Sequence, residues 1–284
     1  MGYGYQKHDD ELVDFQLWKM DGLTHLFRGP KPVNLNRGEF FICMGAAQTF
    51  GRFVPKPFPA LVAEKLNLQV LNAGHAGAGP LFFLQQKKIL EIANSAKFAI
   101  VQVMSGRSES NTLFTSKNGT AKLTRKIDGK TNQAEIIYDD FLAGASYGEI
   151  EKLVAETRLL YTQHFIELLQ KIRVPKILFW FSERKPEYNQ SYENARKLFG
   201  KFPHLVNSEM VEKIRPFADH YVECTTDEGM PQPLISRFTG QPFVVDISIP
   251  SGNRPKKFNA YYPSPEMHFN AFQKLWDYIS THEI

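Results

Sequence analysis

The sequence predicts an α/β protein: a parallel sheet between two helical layers, an α/β/α sandwich. Two observations carry this expectation. Runs at residues 40–44, 98–104 and 176–181 are apolar almost throughout, which suits strands buried on both faces of a parallel sheet. Between them lie segments with apolar residues at helical spacing. The clearest is 149–172, where Ile150, Leu153, Val154, Tyr161, Phe165, Leu168, Leu169 and Ile172 share one face. Strands alternating with helices imply parallel pairing with right-handed crossovers.

Taken in order, residues 1–38 show weak periodicity and end in a turn-rich stretch, Arg28-Gly29-Pro30-Lys31-Pro32. They read as an arm packed on a single domain spanning 1–284. The first core strand, 40–44, ends in Gly45 and opens into a loop that closes at Pro57-Phe58-Pro59. An amphipathic helix over 60–66 follows, then a second strand at 70–72 that runs into Asn72-Ala73-Gly74-His75-Ala76-Gly77. A helix is expected over 80–94 and a third strand over 98–104.

Residues 109–147 read as an insertion. Asn118-Gly119 and Asp128-Gly129 are strong hairpin turns. They separate alternating segments at 112–117, 120–127 and 130–138, which predicts a three-stranded meander standing off the main domain. The long helix carries His164 on its apolar face, read as a core-facing histidine with a local partner. After the fourth strand, 176–181, a helix is expected over 188–199 and a short fifth strand over 220–224. Residues 225–262 should be mostly loop, with a strand at 243–247, before a final helix over 269–279.

Composition removes several classes of function. A net charge of +4 over 284 residues comes with no basic helix or RNA-binding signature, so nucleic acid is not an expected partner. No stretch of eighteen apolar residues occurs, so no membrane span is expected. The first fifteen residues are polar and acidic where a signal peptide needs an apolar core. Gln6 stands where a myristoylation motif wants Ser or Thr. With only Cys43 and Cys224, a cytoplasmic setting is expected. No P-loop, dinucleotide fingerprint, His-Glu-x-x-His or paired cysteines occur, so neither cofactor nor metal is expected.

Ligands of open α/β sheets bind beyond the carboxyl ends of the strands. That rule gathers the loops at 45–53, 74–79, 105–110 and 182–186. Arg52, Arg107 and Arg184 each follow a different strand, and this pattern predicts a shared anion site. Lys56, Lys185, Arg237 and Arg254 add charge nearby, and Phe50, Phe53, Phe58, Tyr261 and Tyr262 add aromatic surface.

The stretch Gly45-Ala46-Ala47-Gln48-Thr49-Phe50-Gly51, with Asn72-Ala73-Gly74-His75-Ala76-Gly77 after the next strand, resembles the opening of the SGNH/GDSL hydrolase superfamily. In that superfamily the first strand ends in Gly-Asp-Ser-x-Thr-x-Gly and the second in Asn-x-Gly-x-x-Gly. The glycines and Thr49 match, and Ala47 holds the place of the nucleophilic serine. The resemblance further implies that His268, just before the last helix, is the base and that Gly77 lends an oxyanion amide. Gly106-Arg107-Ser108-Glu109 stands where Gly-x-Asn-Asp is usual. Pro265 replaces the orienting aspartate. The chain thus looks like a bacterial SGNH branch without the usual nucleophile.

The catalytic candidates are His268, Thr49 and Ser105, with Ala47, Gly77, Gly106 and Arg107 around the reacting position and Arg52 and Arg184 as anion ligands. Alanine has no lone pair and forms no covalent intermediate. Two readings follow for a small-molecule or glycan ligand, anionic in character. One is group transfer or hydrolysis with His268 as general base. The other is a non-catalytic binding protein on a decayed scaffold. A residual hydrolase using Thr49 is a third.

Overall fold

The computed structural model describes residues 9–249 and 252–282, with the side chains of 246–249 and 252–254 left aside. The first part of the expected arm and the Arg254 side chain therefore lie outside the described residues.

A 3-10 turn (Asp9–Glu11) and a small ribbon, β1 (Trp18–Lys19) with β2 (Leu26–Phe27), form the arm. The core begins with β3 (Phe40–Gly45), α1 (Ala47–Phe50), α2 (Phe58–Leu66) and β4 (Gln69–Gly74). Helices α3 (Pro80–Leu84) and α4 (Lys87–Ala93) lead into β5 (Ala99–Gln102). Three short strands, β6 (Phe114–Thr115), β7 (Lys122–Arg125) and β8 (Thr131–Gln133), precede α5 (Ala134–Leu142) and α6 (Tyr147–Lys171). Then come β9 (Lys176–Ser182), α7 (Ala195–Phe199), α8 (Ser208–Ile214) and β10 (His220–Thr225). Two ribbons follow, β11 (Gln232–Pro233) with β14 (Phe258–Asn259), and β12 (Val245–Ile249) with β13 (Gly252–Lys256). The last element is α9 (Pro265–His282).

The central sheet runs β4-β3-β5-β9-β10, all parallel. In order of appearance that is 2-1-3-4-5, the flavodoxin-like arrangement, whose switch point lies between the first and third strands. Side chains alternate along each strand. Phe40, Ile42 and Met44 pack with Phe83, Phe165 and Leu168 on one face. Phe41 and Cys43 pack with Phe58, Val62, Ala271 and Leu275 on the other. Both faces are covered, which is why the strands read as unbroken apolar runs. This is the three-layer α/β/α fold that the SGNH resemblance implies. Cys43 and Cys224 are free and buried, and burial pushes the Cys43 thiol well up, so it is an inert core group.

Several elements differ from the sequence expectation. The helix of 80–94 is two, broken at Gln85 and Gln86. The meander is present but its third strand stops at Gln133, and α5 follows with Ala134, Ile137 and Tyr138 buried at helical spacing. The insertion does not stand off. Phe114, Leu123 and Tyr138 share a core with Leu153, Leu198 and Phe199, and Gly79 N–H donates to Gly119 O at 2.9 Å. The helix of 188–199 shrinks to α7, capped by Asn194. Tyr188 instead serves as a hydroxyl contact, accepting from Arg158 and donating to Leu198 O. Helix α8 was not anticipated.

Candidate functional site

The switch point places the end of β3 beside β5, and here one side chain organises the floor. Gln102 Oε1 accepts from Ala46 N–H at 3.0 Å and from the Thr49 hydroxyl at 2.8 Å. Gly45 must be glycine, because a Cβ there would meet Thr49 Oγ1 at 2.1 Å. Asn72 completes the tie, donating to Thr49 O and accepting from Gly74 N–H. Thr49 is fully buried, and its hydroxyl proton is directed to an amide oxygen. It works as a fastener for α1.

Ala47 sits at the start of α1 and is 6% exposed. Its methyl lies in an apolar cluster with Leu12, Val13 and Phe15 from the arm, Leu234 from the late loops, and Tyr262. Both covering segments are also tied by polar contacts. Arg52 pairs with Asp9 at 2.6 Å and donates to Tyr262 OH at 3.1 Å. Its guanidinium stacks between Phe53 and Tyr262. Arg237 donates to Asp10 O, and Ser236 Oγ to Glu11. The arm and the late loops therefore hold each other over Ala47.

His268 lies in the first turn of α9, which Ser264 caps by accepting from Met267 N–H. The imidazole is fully buried, stacked on Phe58 and edge-on to Phe181. Its Nδ1 faces Phe58 N–H at 3.1 Å. A backbone amide only donates, so Nδ1 is the acceptor and the ring proton resides on Nε2. Nε2 has no partner among the described residues. Burial, and secondarily the Arg28 charge, push the pKa down to about 3. As placed, this imidazole is neutral and its one lone pair is already engaged.

A different imidazole lies at the end of β5. Ser105 Oγ is 3.3 Å from His204 Nδ1, and Gly106 N–H donates to His204 O at 2.9 Å. On the far side, His204 Nε2 lies 3.5 Å from Arg107 Nη1 and 3.5 Å from Tyr261 OH. Arginine can only donate, so the Arg107 side favours an accepting Nε2, with Nδ1–H toward Ser105. Burial, then the charges of Arg107 and Arg184, hold His204 well below the ordinary range. Arg107 forms an ion pair with Glu135 of α5. Tyr261 also borders the apolar cluster around Ala47, so the two halves of the rim are contiguous.

The remaining candidates are placed as follows. Gly77 has φ +74°, and a Cβ there would meet Ala121 at 2.9 Å, so the insertion presses on the loop that would lend an oxyanion amide. Ser108 is buried with its hydroxyl unpartnered among the described residues. Arg184 donates to the carbonyls of Lys185, Pro186, Lys201, Pro203 and Val206, and burial lowers its pKa to about 10. Arg52, Arg107 and Arg184 thus occupy three strand ends, but each directs its charge to a partner inside the fold. The structure does not bring them together around one open space. His164 has its local partner, with Nδ1 3.1 Å from Glu109 Oε2.

A family model matches residues 3–118 and 141–241 and describes a domain of unknown function, DUF6473. The chain belongs to this family. No curated protein matches the DUF6473 sequence. Among solved structures, a Lactobacillus plantarum protein is similar at 11% identity and TM-score 0.44, covering 87% of this chain and 98% of its own. A protein described as a lipolytic G-D-S-L family member from Desulfitobacterium hafniense has 11% identity and TM-score 0.38, covering 84% and 98%. A catalytic mutant of an acetylxylan esterase from Geobacillus stearothermophilus has 11% identity and TM-score 0.40, covering 86% and 95%. At these scores the likeness is one of outline.

Sequence reasoning did not find His204, Glu135, Gln102 or Asp9. Gln102 had a signal: one amide inside the apolar run of 98–104 is a buried polar group that must be bonded. The others had none, because His204 lies 99 residues from Ser105 and Asp9 lies 43 from Arg52.

Proposed function

We propose that this DUF6473 chain is a non-catalytic ligand-binding protein on an SGNH-like scaffold. It takes a hydroxylated, glycan-type ligand at the rim formed by Ser105, Arg107, His204 and Tyr261. One observation carries the reading: each candidate imidazole lies against a donor that competes for its lone pair. His268 gives its own to Phe58 N–H, and His204 faces an arginine where a catalytic histidine needs a carboxylate. A neighbouring cation disfavours the imidazolium that general-base catalysis must form. Ala47, at the ancestral nucleophile position, adds only a methyl.

Binding suits what remains. Tyr261 is partly exposed and offers a ring face, and the Arg107–Glu135 pair offers donors and an acceptor together. That combination matches adjacent hydroxyls on a sugar ring. Because Glu135 balances Arg107, a neutral or weakly acidic sugar fits better than a multiply charged anion.

Calorimetric titration with neutral and uronic-acid oligosaccharides tests the reading. Tyr261→Ala and Arg107→Gln should each weaken binding about tenfold, equivalent to about 1.4 kcal/mol, and mass spectrometry should find the sugar unchanged. A second reading, hydrolysis or group transfer through Ser105, is favoured by the Ser105–His204 contact. It requires the opposite histidine tautomer. Turnover of any ester that is abolished by Ser105→Ala would establish it and remove the binding-only account.

A further inference from the structure

The opposite end of the sheet holds a second feature. A cleft of about 520 Å3 opens there, lined by Arg37, Glu91, Asn94, Ser95, Arg173 and Val174. Its volume falls within the range of small-molecule sites, about 300–1,000 Å3. Arg37 precedes β3, Asn94 and Ser95 precede β5, and Arg173 precedes β9. Three connections at the amino ends of neighbouring strands therefore converge on it, far along the chain from one another.

The backbone around both arginines is fixed by one turn. Asn94 donates to Lys171 O at 3.0 Å and accepts from Arg173 N–H at 2.6 Å. Ser95 O accepts from Gly38 N–H at 2.9 Å, next to Arg37. Two guanidinium stems thus leave one hydrogen-bonded backbone frame.

The charges in this cleft are uncommitted. Neither the Arg37 nor the Arg173 guanidinium has a hydrogen bond or ion pair among the described residues, and Glu91 pairs with neither. Elsewhere this protein spends its arginines internally, as Arg28, Arg52, Arg107 and Arg184 show. Among arginines with described side chains, only Arg196 shares the unpartnered condition, and it does not line the cleft. Guanidinium forks match the paired oxygens of phosphate, sulfate and carboxylate. A carboxylate beside them accepts from hydroxyl groups.

We propose that this cleft binds a small hydroxylated oxyanion ester, its phosphate-type group held between Arg37 and Arg173 and its hydroxyls directed to Glu91. The site is separate from the rim and independent of what the rim binds.

The test is titration of the full chain, followed by NMR, with inorganic phosphate, inorganic sulfate and glycerol 3-phosphate. Saturable binding is expected, with glycerol 3-phosphate tighter than phosphate. Arg37→Gln and Arg173→Gln should each weaken it at least tenfold. Arg196→Gln should leave it unchanged. Glu91→Gln should erase the preference for the glycerol ester. All four side chains lie at the surface, so the variants should fold, and their melting temperatures confirm it. No saturation up to about 10 mM, an affinity too weak to mark a specific site, would overturn the proposal. So would equal weakening by Arg196→Gln, which would mean diffuse surface attraction.

Discussion

His268→Gln removes a buried imidazole while keeping an acceptor for Phe58 N–H, and it should make the protein less sensitive to acid. Unfolded, the histidine takes a proton near 6.5. Folded, it stays neutral until about 3, because burial and then the Arg28 charge oppose the cation. Between those values the unfolded state binds one more proton, so stability falls as pH falls. The contribution is full above 6.5 and is lost progressively toward about 3. Linkage gives about 1.4 kcal/mol per pH unit across that window, or about 2 kcal/mol between pH 7 and pH 5. His75, whose pKa burial and the neighbouring His25 depress to about 4, adds a similar slope in both proteins and cancels in the comparison. Urea unfolding at pH 7 and pH 5 measures the effect. Wild type should lose about 2 kcal/mol more than the variant. Equal losses would refute the reasoning, because they would mean that His268 titrates alike in both states and is accessible to a proton.

Ala47→Ser restores the missing hydroxyl and should still yield no esterase, since no free imidazole lone pair faces it; a burst of p-nitrophenol from p-nitrophenyl acetate would contradict this. Asp9→Asn leaves Arg52 buried beside a neutral amide and should cost about 3–5 kcal/mol, read as a lower urea midpoint with faster hydrogen exchange in 9–15. Gly77→Ala places a methyl against Ala121 at a positive φ. It should cost about 1–3 kcal/mol, with a melting temperature lower by several degrees.

The parallel sheet was legible because its central strands are covered on both faces. The runs at 40–44, 98–104 and 176–181 could not be amphipathic; the first and third sit in β3 and β9, and β5 takes Ala99–Gln102 of the second. Helix α6 was legible from its period, and the Ser146–Glu149 capping box starts it two residues earlier than expected, at Tyr147. Helix α5 was missed although Ala134, Ile137 and Tyr138 have helical spacing. The Asp128-Gly129 turn before them made a third strand look continuous. The stretch 188–194 contains aromatic and polar residues that suit a helix, yet its tyrosine is drawn off by Arg158. No local pattern records that competition.

The site was legible only where a motif is contiguous. Residues 45–51 and 72–77 do meet, at the carboxyl ends of β3 and β4, as the ends of neighbouring parallel strands must. Charge at the strand ends was visible, but its destination was not. Arg52 is countered by an aspartate in the arm, Arg107 by a glutamate in the insertion, and Arg184 by carbonyls. Those partners are set by tertiary packing, and a sequence read locally shows the cations without the groups that consume them.

The tautomers of His204 and His268 are the most direct test, read from long-range nitrogen–proton NMR spectra of the imidazoles at neutral pH. The account predicts both rings neutral, His268 with its proton on Nε2 and His204 with its proton on Nδ1. A His268 ring protonated on Nδ1, or a His204 ring protonated on Nε2, would put a free lone pair at the site and contradict it.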